Sequence, residues 1–120
     1  DLLSIFKSMK TKNLKNEEFV ISDQTASTIV LVAGGYPESY EKGKIIKGLD
    51  DVENAKVFHA GTALKDQEVV TAGGRVLAIT GMGNDLKTAL KNAYAGANKV
   101  CWDDLYYRKD IGQDLLALEG

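Results

Sequence analysis

Three glycine-rich segments hold the residues of this chain that are best suited to binding an anion. They are Gly34-Gly35-Tyr36-Pro37, Gly61-Thr62 and Gly73-Gly74-Arg75. A glycine lets backbone N–H groups approach a ligand closely, and the planar guanidinium of Arg75 matches a phosphate or a carboxylate. Composition alone favours the plainer interpretation, in which the glycines form turns and Arg75 lies in solvent.

Two nucleotide-binding motifs fail. A phosphate-binding loop ending at Gly43-Lys44 would need Gly at position 38 and Ser or Thr at position 45, where the chain has Glu38 and Ile45. Residues 81–86 (GMGNDL) lie between a strand pattern and a helix pattern, as a dinucleotide fingerprint does, but Leu86 replaces the third glycine. We therefore interpret residues 81–86 as a glycine-rich connection followed by a helix cap.

Metal and nucleophile chemistry have few candidates, since Cys101 is the only cysteine and His59 is the only histidine. We predict no metal ligands and no catalytic residues, although counting leaves a Cys101–His59 pair open. A lone cysteine at the end of a helix is more often a small core residue. One cysteine cannot form an internal disulfide, which predicts a cytoplasmic protein.

The charge balance excludes functions that depend on attraction to polyanions. The chain has 15 Lys and Arg, 17 Asp and Glu and a net charge of −2 at pH 7, so nothing predicts binding to nucleic acid or to an anionic membrane. The longest apolar run, residues 29–33, is too short to cross a bilayer. With 44% hydrophobic residues, the 120 residues fit one domain with one core.

The elements that must position these residues form an α+β pattern. Residues 25–33 predict a strand that is buried on both faces from Ile29 onwards, because apolar residues then occupy successive positions. An antiparallel meander of three more strands follows at residues 56–60, 68–71 and 75–80. We expect Lys65-Asp66-Gln67 to close its first hairpin and Gly73-Gly74 to close the second with a positive φ.

One helix is predicted to pack across this antiparallel sheet, with Asn84 or Asp85 as its cap. Its apolar stripe consists of Leu86, Ala89, Leu90, Ala93, Tyr94, Ala97 and Val100. A second amphipathic pattern over residues 1–9 has no evident cap, and the connection over residues 10–18 is polar. Because isolated short helices are marginal in water, we expect this helix not to belong to the core of the domain.

Four segments span most of the chain: VLVAGGYPESYEKGKIIKGLD (residues 30–50), VFHAGT (57–62), TAGGRVLAIT (71–80) and YYRKDIG (106–112). Together, in this order and at this spacing, they resemble the C-terminal part of the phosphoribosylamine–glycine ligase family, also called glycinamide ribonucleotide synthetase. The resemblance implies that residues 19–120 form the C-terminal, rudiment single hybrid motif-like domain of an ATP-grasp ligase. Residues 1–18 would then be a helix and linker from the ATP-grasp core.

The resemblance also implies an enzyme of de novo purine (IMP) biosynthesis. In this family ATP phosphorylates glycine to glycyl phosphate, and the amine of 5-phosphoribosylamine attacks it to give glycinamide ribonucleotide. Mg²⁺ or Mn²⁺ bridges the nucleotide phosphates. The residues that hold the metal and the nucleotide lie upstream in the family, so we expect this chain alone to be inactive and to bind no cofactor. Its implied partner is the upstream ATP-grasp core.

The implied site centres on Arg75, which matches the arginine that binds the phosphate of the ribonucleotide substrate. Gly73 and Gly74 would offer N–H groups to the same phosphate. The other implied pocket residues are His59, Thr62, Gly35, Tyr36 and Pro37. His59 is equally well interpreted as a structural histidine.

Two alternatives to the ligase stay open. The first is a module that binds a small anion without catalysis. The second is a structural or interaction domain, which an exposed apolar patch formed by Leu2, Ile5 and Phe6 would favour.

Overall fold

The computed structural model describes residues 1–119. Its strands are β1 Thr25–Val32, β2 Ala55–His59, β3 Thr62–Lys65, β4 Glu68–Thr71 and β5 Arg75–Gly83. Its helices are α1 Leu2–Lys10, α2 Leu86–Ala97 and α3 Gln113–Glu119, with short 3₁₀ turns at Leu14–Asn16 and Leu49–Asp51. No helix in this part of the chain has the length and apolar character needed to span a membrane.

β5 is the central strand of the larger sheet. β1 and β2 pair with it from opposite sides in antiparallel orientation, while β3 and β4 form a separate two-stranded sheet. The register places Ile29 and Val57 on either side of Ile79, so these three side chains share the face that α2 covers. The predicted α+β class, with antiparallel strands and one packed helix, is confirmed.

The core lies between α2 and this face of the sheet. Its buried members include Ile29, Leu31, Leu77, Ile79, Ala93 and Ala97. A Cβ atom on Gly81 would lie 2.3 Å from the carbonyl oxygen of Ala89 and 2.3 Å from the amide nitrogen of Ala93. The helix backbone therefore rests directly on the strand backbone, and this contact requires glycine at position 81.

The strand connections differ from the predicted simple meander. β3, which the sequence pattern missed, pairs with β4 across a turn at Asp66 and Gln67, whose φ angles are 49° and 68°. Gly73-Gly74 closes no hairpin between β4 and β5, and neither glycine has a positive φ. Instead, the β3–β4 hairpin is inserted between β2 and β5, which pair with each other.

β1 is buried on one face only. Ile29 and Leu31 are fully buried, but Val30 between them is 42% exposed. The prediction of a strand buried on both faces is therefore wrong, because no second helix of residues 1–119 packs on the face that carries Val30. The alternation of burial continues before this stretch, where Ser27 is half-buried between two exposed residues.

α1 has a cap, contrary to the expectation from the sequence. The Leu3 N–H donates a hydrogen bond of 3.0 Å to the Asp1 carboxylate. The radius of gyration is 17.5 Å, whereas a compact chain of this length has about 14 Å. The main contacts of α1 are with the neighbouring 3₁₀ turn, so α1 lies apart from the core as expected.

Tyr94 attaches the segment that precedes α3 to the side of α2. Its hydroxyl donates to the Arg108 carbonyl at 3.0 Å and accepts from the Ile111 N–H at 3.0 Å. The Tyr107 hydroxyl donates to the Asn98 side chain. These contacts give the YYRKDIG segment a structural role, since they hold the chain against the helix after it has left the sheet.

Gly81→Ala should lower the free energy of unfolding by about 3 kcal/mol, the upper end of overpacking costs, because the added Cβ meets backbone atoms that cannot rotate away. Gly43→Ala is the matched control: its Cβ would meet no atom within 4 Å, and only the φ of +81° is unfavourable, at about 1–2 kcal/mol. Urea titration of both variants measures the difference. An equal or smaller loss for Gly81→Ala would contradict the close helix–strand contact.

Asp85, one of the two predicted caps of α2 and the one that the structure shows, should make stability depend on pH. Its carboxylate accepts the Thr88 N–H at 2.6 Å, and the hydrogen bonds from Thr88 hold the pKa of Asp85 below its ordinary value of 3.8. This stabilisation is complete above pH 3.8 and is lost as the pH falls through the lower folded-state pKa. Asp85→Asn keeps a capping side chain without the titration. Thermal unfolding should therefore show wild type losing stability relative to Asp85→Asn only in acid; a constant difference would contradict the assignment.

Candidate functional site

The three glycine-rich segments meet at one end of the larger sheet. β1 ends at Val32, β2 ends at His59 and β5 begins at Arg75, and antiparallel pairing brings these ends to the same edge. The Ala33 N–H donates to the Gly74 carbonyl at 2.8 Å, which joins the first segment to the third. The structure thus brings together the segments that the sequence singled out.

Close backbone contact joins the second segment to the third. The Gly73 N–H donates to the Gly61 carbonyl at 3.1 Å, and a Cβ on Gly61 would lie 2.4 Å from the Arg75 carbonyl oxygen. This hydrogen bond occupies the Gly73 N–H, which the sequence analysis expected to be offered to a phosphate. The Gly74 N–H has no hydrogen-bond partner among residues 1–119, and Gly74 itself is buried.

The ring of Tyr36 lies on Gly74. A Cβ on Gly74 would be 1.9 Å from the Cδ2 atom of Tyr36, so only glycine leaves room for the ring. Gly35 supplies the turn before it with a φ of +89°, and the Tyr36-Pro37 peptide bond is cis. The Tyr40 ring packs edge-on against Tyr36 at 5.8 Å between centroids. The first segment therefore forms a wall directly beside the start of β5.

Arg75 is exposed at this edge, and no carboxylate of residues 1–119 forms an ion pair with it. Arg75 directly follows Gly74, whose N–H has no hydrogen-bond partner among residues 1–119. Lys44 is different: it pairs with Asp104 at 2.7 Å and Glu41 at 3.3 Å. The hydrogen bond to Asp104 is the main cause that raises the pKa of Lys44 above its ordinary value.

His59 and Thr62 form a pair at the connection between β2 and β3. The His59 Nδ1 atom lies 2.9 Å from the Thr62 hydroxyl, so each fixes the orientation of the other. His59 is exposed, and Thr62 is half-buried. This contact supports the structural interpretation of His59 and also leaves its Nε2 atom free to meet a ligand.

Sequence reasoning missed Thr71, which holds the long connection over residues 38–55 against β4. Its buried hydroxyl accepts the Lys44 N–H at 3.1 Å, and its carbonyl accepts the Gly43 N–H at 2.6 Å. A buried threonine at the end of a strand gives no sequence signal of such a role. Its contacts fix the connection where it passes alongside β4.

Metal coordination finds no support at this edge or elsewhere in residues 1–119. No group of three or more His, Cys, Asp or Glu side chains lies close enough to hold an ion there. The chemistry available at the site is therefore hydrogen bonding and charge: one guanidinium, one free backbone donor and an aromatic wall.

Comparison with known proteins agrees with this organisation. Residues 26–114 match the family described as "Phosphoribosylglycinamide synthetase, C domain". A phosphoribosylamine–glycine ligase from Synechocystis sp. is 52% identical over 93 residues, which cover 76% of this chain and 22% of that protein. The Pseudomonas aeruginosa ligase is 43% identical over 120 residues, covering 98% of this chain and 28% of that protein.

A solved structure shows the same fold. The crystal structure of phosphoribosylamine–glycine ligase from Thermotoga maritima superposes with a TM-score of 0.72 at 36% identity, covering 88% of this chain and 27% of that one. The chain thus spans about a quarter of the length of the relatives it matches.

The contact between Tyr36 and Gly74 can be tested by a double-mutant cycle. Gly74→Ala should destabilise the chain because the new Cβ overlaps the ring, and adding Tyr36→Ala should recover much of the loss. We expect a coupling energy of about 1–2 kcal/mol from urea titrations. Tyr106→Ala is the matched control and should add to Gly74→Ala without coupling. Simple additivity for Tyr36 would show that its ring does not lie on Gly74.

Proposed function

Because this chain belongs to the family of phosphoribosylglycinamide synthetase C domains, we propose that it works as the C-terminal domain of an ATP-dependent phosphoribosylamine–glycine ligase. Such a ligase joins glycine to 5-phosphoribosylamine and releases glycinamide ribonucleotide, ADP and phosphate, a step of purine biosynthesis. Glycine is activated as glycyl phosphate, and the amine then displaces the phosphate. The family match over residues 26–114 supports this proposal.

The role of this chain is to hold a substrate and not to transfer the phosphoryl group. Residues 1–119 contain no group of three or more His, Cys, Asp or Glu side chains that could hold the Mg²⁺ or Mn²⁺ that accompanies ATP. We therefore assign no step of phosphoryl transfer to these residues. That chemistry belongs to the remaining three quarters of the ligase.

The observation that carries the substrate assignment is the exposed Arg75 guanidinium, which has no carboxylate partner among residues 1–119. Arg75 directly follows the buried Gly74, whose N–H has no hydrogen-bond partner in the same residues. These two groups can bind the phosphate of 5-phosphoribosylamine together. Charge-assisted hydrogen bonds of this kind are stronger than neutral ones, and the guanidinium fork matches two phosphate oxygens. Binding the phosphate positions the whole substrate, and Arg75 and Gly74 need not contact the amine that reacts.

The neighbouring residues shape the pocket around that phosphate. Gly35, Tyr36 and Pro37 form its wall beside β5, and Gly73 sets the backbone position of Gly74. His59 lines it from the end of β2, the other neighbour of β5, and Thr62 lines it from the start of β3.

Residues 1–18 are proposed to belong with the part of the ligase that precedes this domain, and residues 19–120 to form the domain itself. Three findings support the division: the family match begins at residue 26, the Pseudomonas aeruginosa ligase matches 98% of the chain, and α1 stands apart from the core. The upstream ATP-grasp part is thus the proposed partner. We propose a cytoplasmic location for the enzyme.

A second candidate function is an interaction module without catalysis. Leu2 and Phe6 of α1 are 63% and 56% exposed, and an exposed apolar stripe of this kind marks a contact surface. The ligase accounts for the same stripe, because the upstream part would cover it. Ligase turnover by the full-length protein separates the two functions.

Arg75→Ala in the full-length ligase should raise the Michaelis constant for 5-phosphoribosylamine about tenfold to a hundredfold. The constants for ATP and glycine should stay near wild type, because only the ribonucleotide substrate carries its phosphate to this edge. Arg75→Lys should recover part of the loss, since an ammonium keeps the charge but not the fork. Steady-state kinetics with each substrate varied in turn gives all three constants.

Lys65→Ala is the matched control for that experiment. Lys65 is an exposed cation beside the turn of the β3–β4 hairpin, and its loss should change none of the three constants. Equal changes for all three substrates in Arg75→Ala, or no change at all, would remove Arg75 from the site.

A further inference from the structure

The outer edge of β1 is open over most of its length. β1 pairs with β5 on one side only. On its other side, Val32 exchanges two backbone hydrogen bonds with Tyr106, at 2.9 and 3.1 Å. After this single bridge the chain at residues 107–111 turns towards α2, where Tyr94 holds it.

The alternation of the strand identifies which backbone groups face outwards. The Ala33 N–H donates inwards to Gly74, whereas Val32 faces outwards to Tyr106. The register shifts between Leu31 and Val32, but it is regular from Thr25 to Leu31, where alternation makes Val30 and Thr28 face outwards. Neither has a backbone hydrogen-bond partner among residues 1–119 on that side. The Thr28 and Thr80 hydroxyls lie 2.8 Å apart, as expected for an opposed pair that exchanges no backbone hydrogen bonds.

A cavity of about 300 Å³ runs along this edge. Its walls include Val30, Val32, Tyr36, Tyr106, Tyr107 and Ile111. Val30 is 42% exposed and Tyr106 is 58% exposed. The one charged group in the wall, the Arg108 guanidinium, is already held by Asp110 through two hydrogen bonds of 3.0 and 2.8 Å. The groove therefore offers free backbone groups beside an apolar surface without an unpaired charge.

We propose that the outer edge of β1 binds an extended apolar segment of the ligase part that precedes this chain, which adds a fourth strand to the sheet. The proposal rests on the proposed function. An open apolar edge invites pairing with another chain and is normally covered in a native protein. Strand addition satisfies the Thr28 and Val30 backbone groups, while alternate side chains of the added strand fill the cavity.

The occupant follows from the length and position of the missing chain. The relatives carry about three times more sequence than the part matched here, since 120 residues cover 28% of the Pseudomonas aeruginosa ligase. The family match begins at residue 26, which is the second residue of β1. Because the Pseudomonas aeruginosa match covers 98% of the chain, the preceding part reaches the open-edged strand through the residues that come before Thr25. The cavity is at the small end of the range for ligand sites, which suits the side chains of a strand better than a nucleotide.

Amide hydrogen exchange with single-residue resolution tests the proposal on the 120-residue chain and on the full-length ligase. In the chain alone, the Thr28 and Val30 amides should exchange quickly while Ile29, which faces β5, is protected. In the full-length ligase, exchange of the Thr28 and Val30 amides should slow by about tenfold or more, because these amides become hydrogen-bonded. Val57, on the opposite free edge of the same sheet, is the matched control and should not change.

Val30→Lys should remove the added protection at Thr28 in the full-length ligase, since a lysine on an edge strand opposes pairing. Phe58→Lys is its matched control, because Phe58 is a similarly exposed apolar residue on β2 and should leave that protection intact. Unchanged exchange at Thr28 and Val30 between chain and ligase would overturn the proposal.

Protection already present in the isolated chain would also overturn it. If that protection is independent of concentration, residues 17–24 cover the edge; if it rises with concentration, a second copy does. Ligase turnover without added protection contradicts strand addition alone. Added protection without turnover contradicts the proposed function alone.

Discussion

The backbone of β5 makes direct contact with its neighbours at both ends, and the rest of the structure depends on these contacts. At the end of the strand, Gly81 lets α2 rest on the sheet, with the helix backbone 2.3 Å from where a Cβ would be. At its start, Gly74 lies beneath the Tyr36 ring. Gly81 in β5 and Gly74 just before it thus position both the core and the candidate site. A shift of β5 in register would break both contacts.

Two cations near this surface, Lys44 and Arg108, are paired with carboxylates. Lys44 is compensated by Asp104 and Glu41, and Arg108 is compensated by Asp110. Arg75 has no such partner among residues 1–119. It directly follows Gly74, whose N–H has no hydrogen-bond partner in the same residues. Most other cations of residues 1–119 also lack an ion pair, so Arg75 is distinguished by its place at the edge where the three glycine-rich segments meet.

Local patterns in the sequence were sufficient to predict the helix and the main strands. Asp85, one of the two residues predicted as the cap, caps α2. The alanines at 89, 93 and 97 face the sheet because their spacing follows the helix period. Long-range pairing could not be predicted. Nothing in the short β3 pattern indicates that it pairs with β4, so the insertion of this hairpin between β2 and β5 was missed. The exposure of Val30 was missed for a similar reason, since an apolar run does not show whether a helix covers one face of the sheet or both.

The candidate site shows the same division. The three glycine-rich segments were identified from their residue types, and the structure brings them together at one edge. Their roles in binding stay predictions. The use of the Gly73 N–H by the Gly61 carbonyl could not be foreseen, because it depends on a contact between residues 12 positions apart, on either side of the β3–β4 hairpin.

In the proposed function, one edge of the sheet binds a phosphate through Gly74 and Arg75. The most direct test is a titration of the ¹⁵N-labelled chain with glycinamide ribonucleotide, followed by NMR at the Gly74 amide and the Arg75 Nε. If the phosphate binds there, saturable shifts will appear at these two signals, with smaller ones at Gly35 and Tyr36 and none at Lys44. Shifts centred on Lys44, or an unchanged Gly74 amide at saturating ligand, would contradict it.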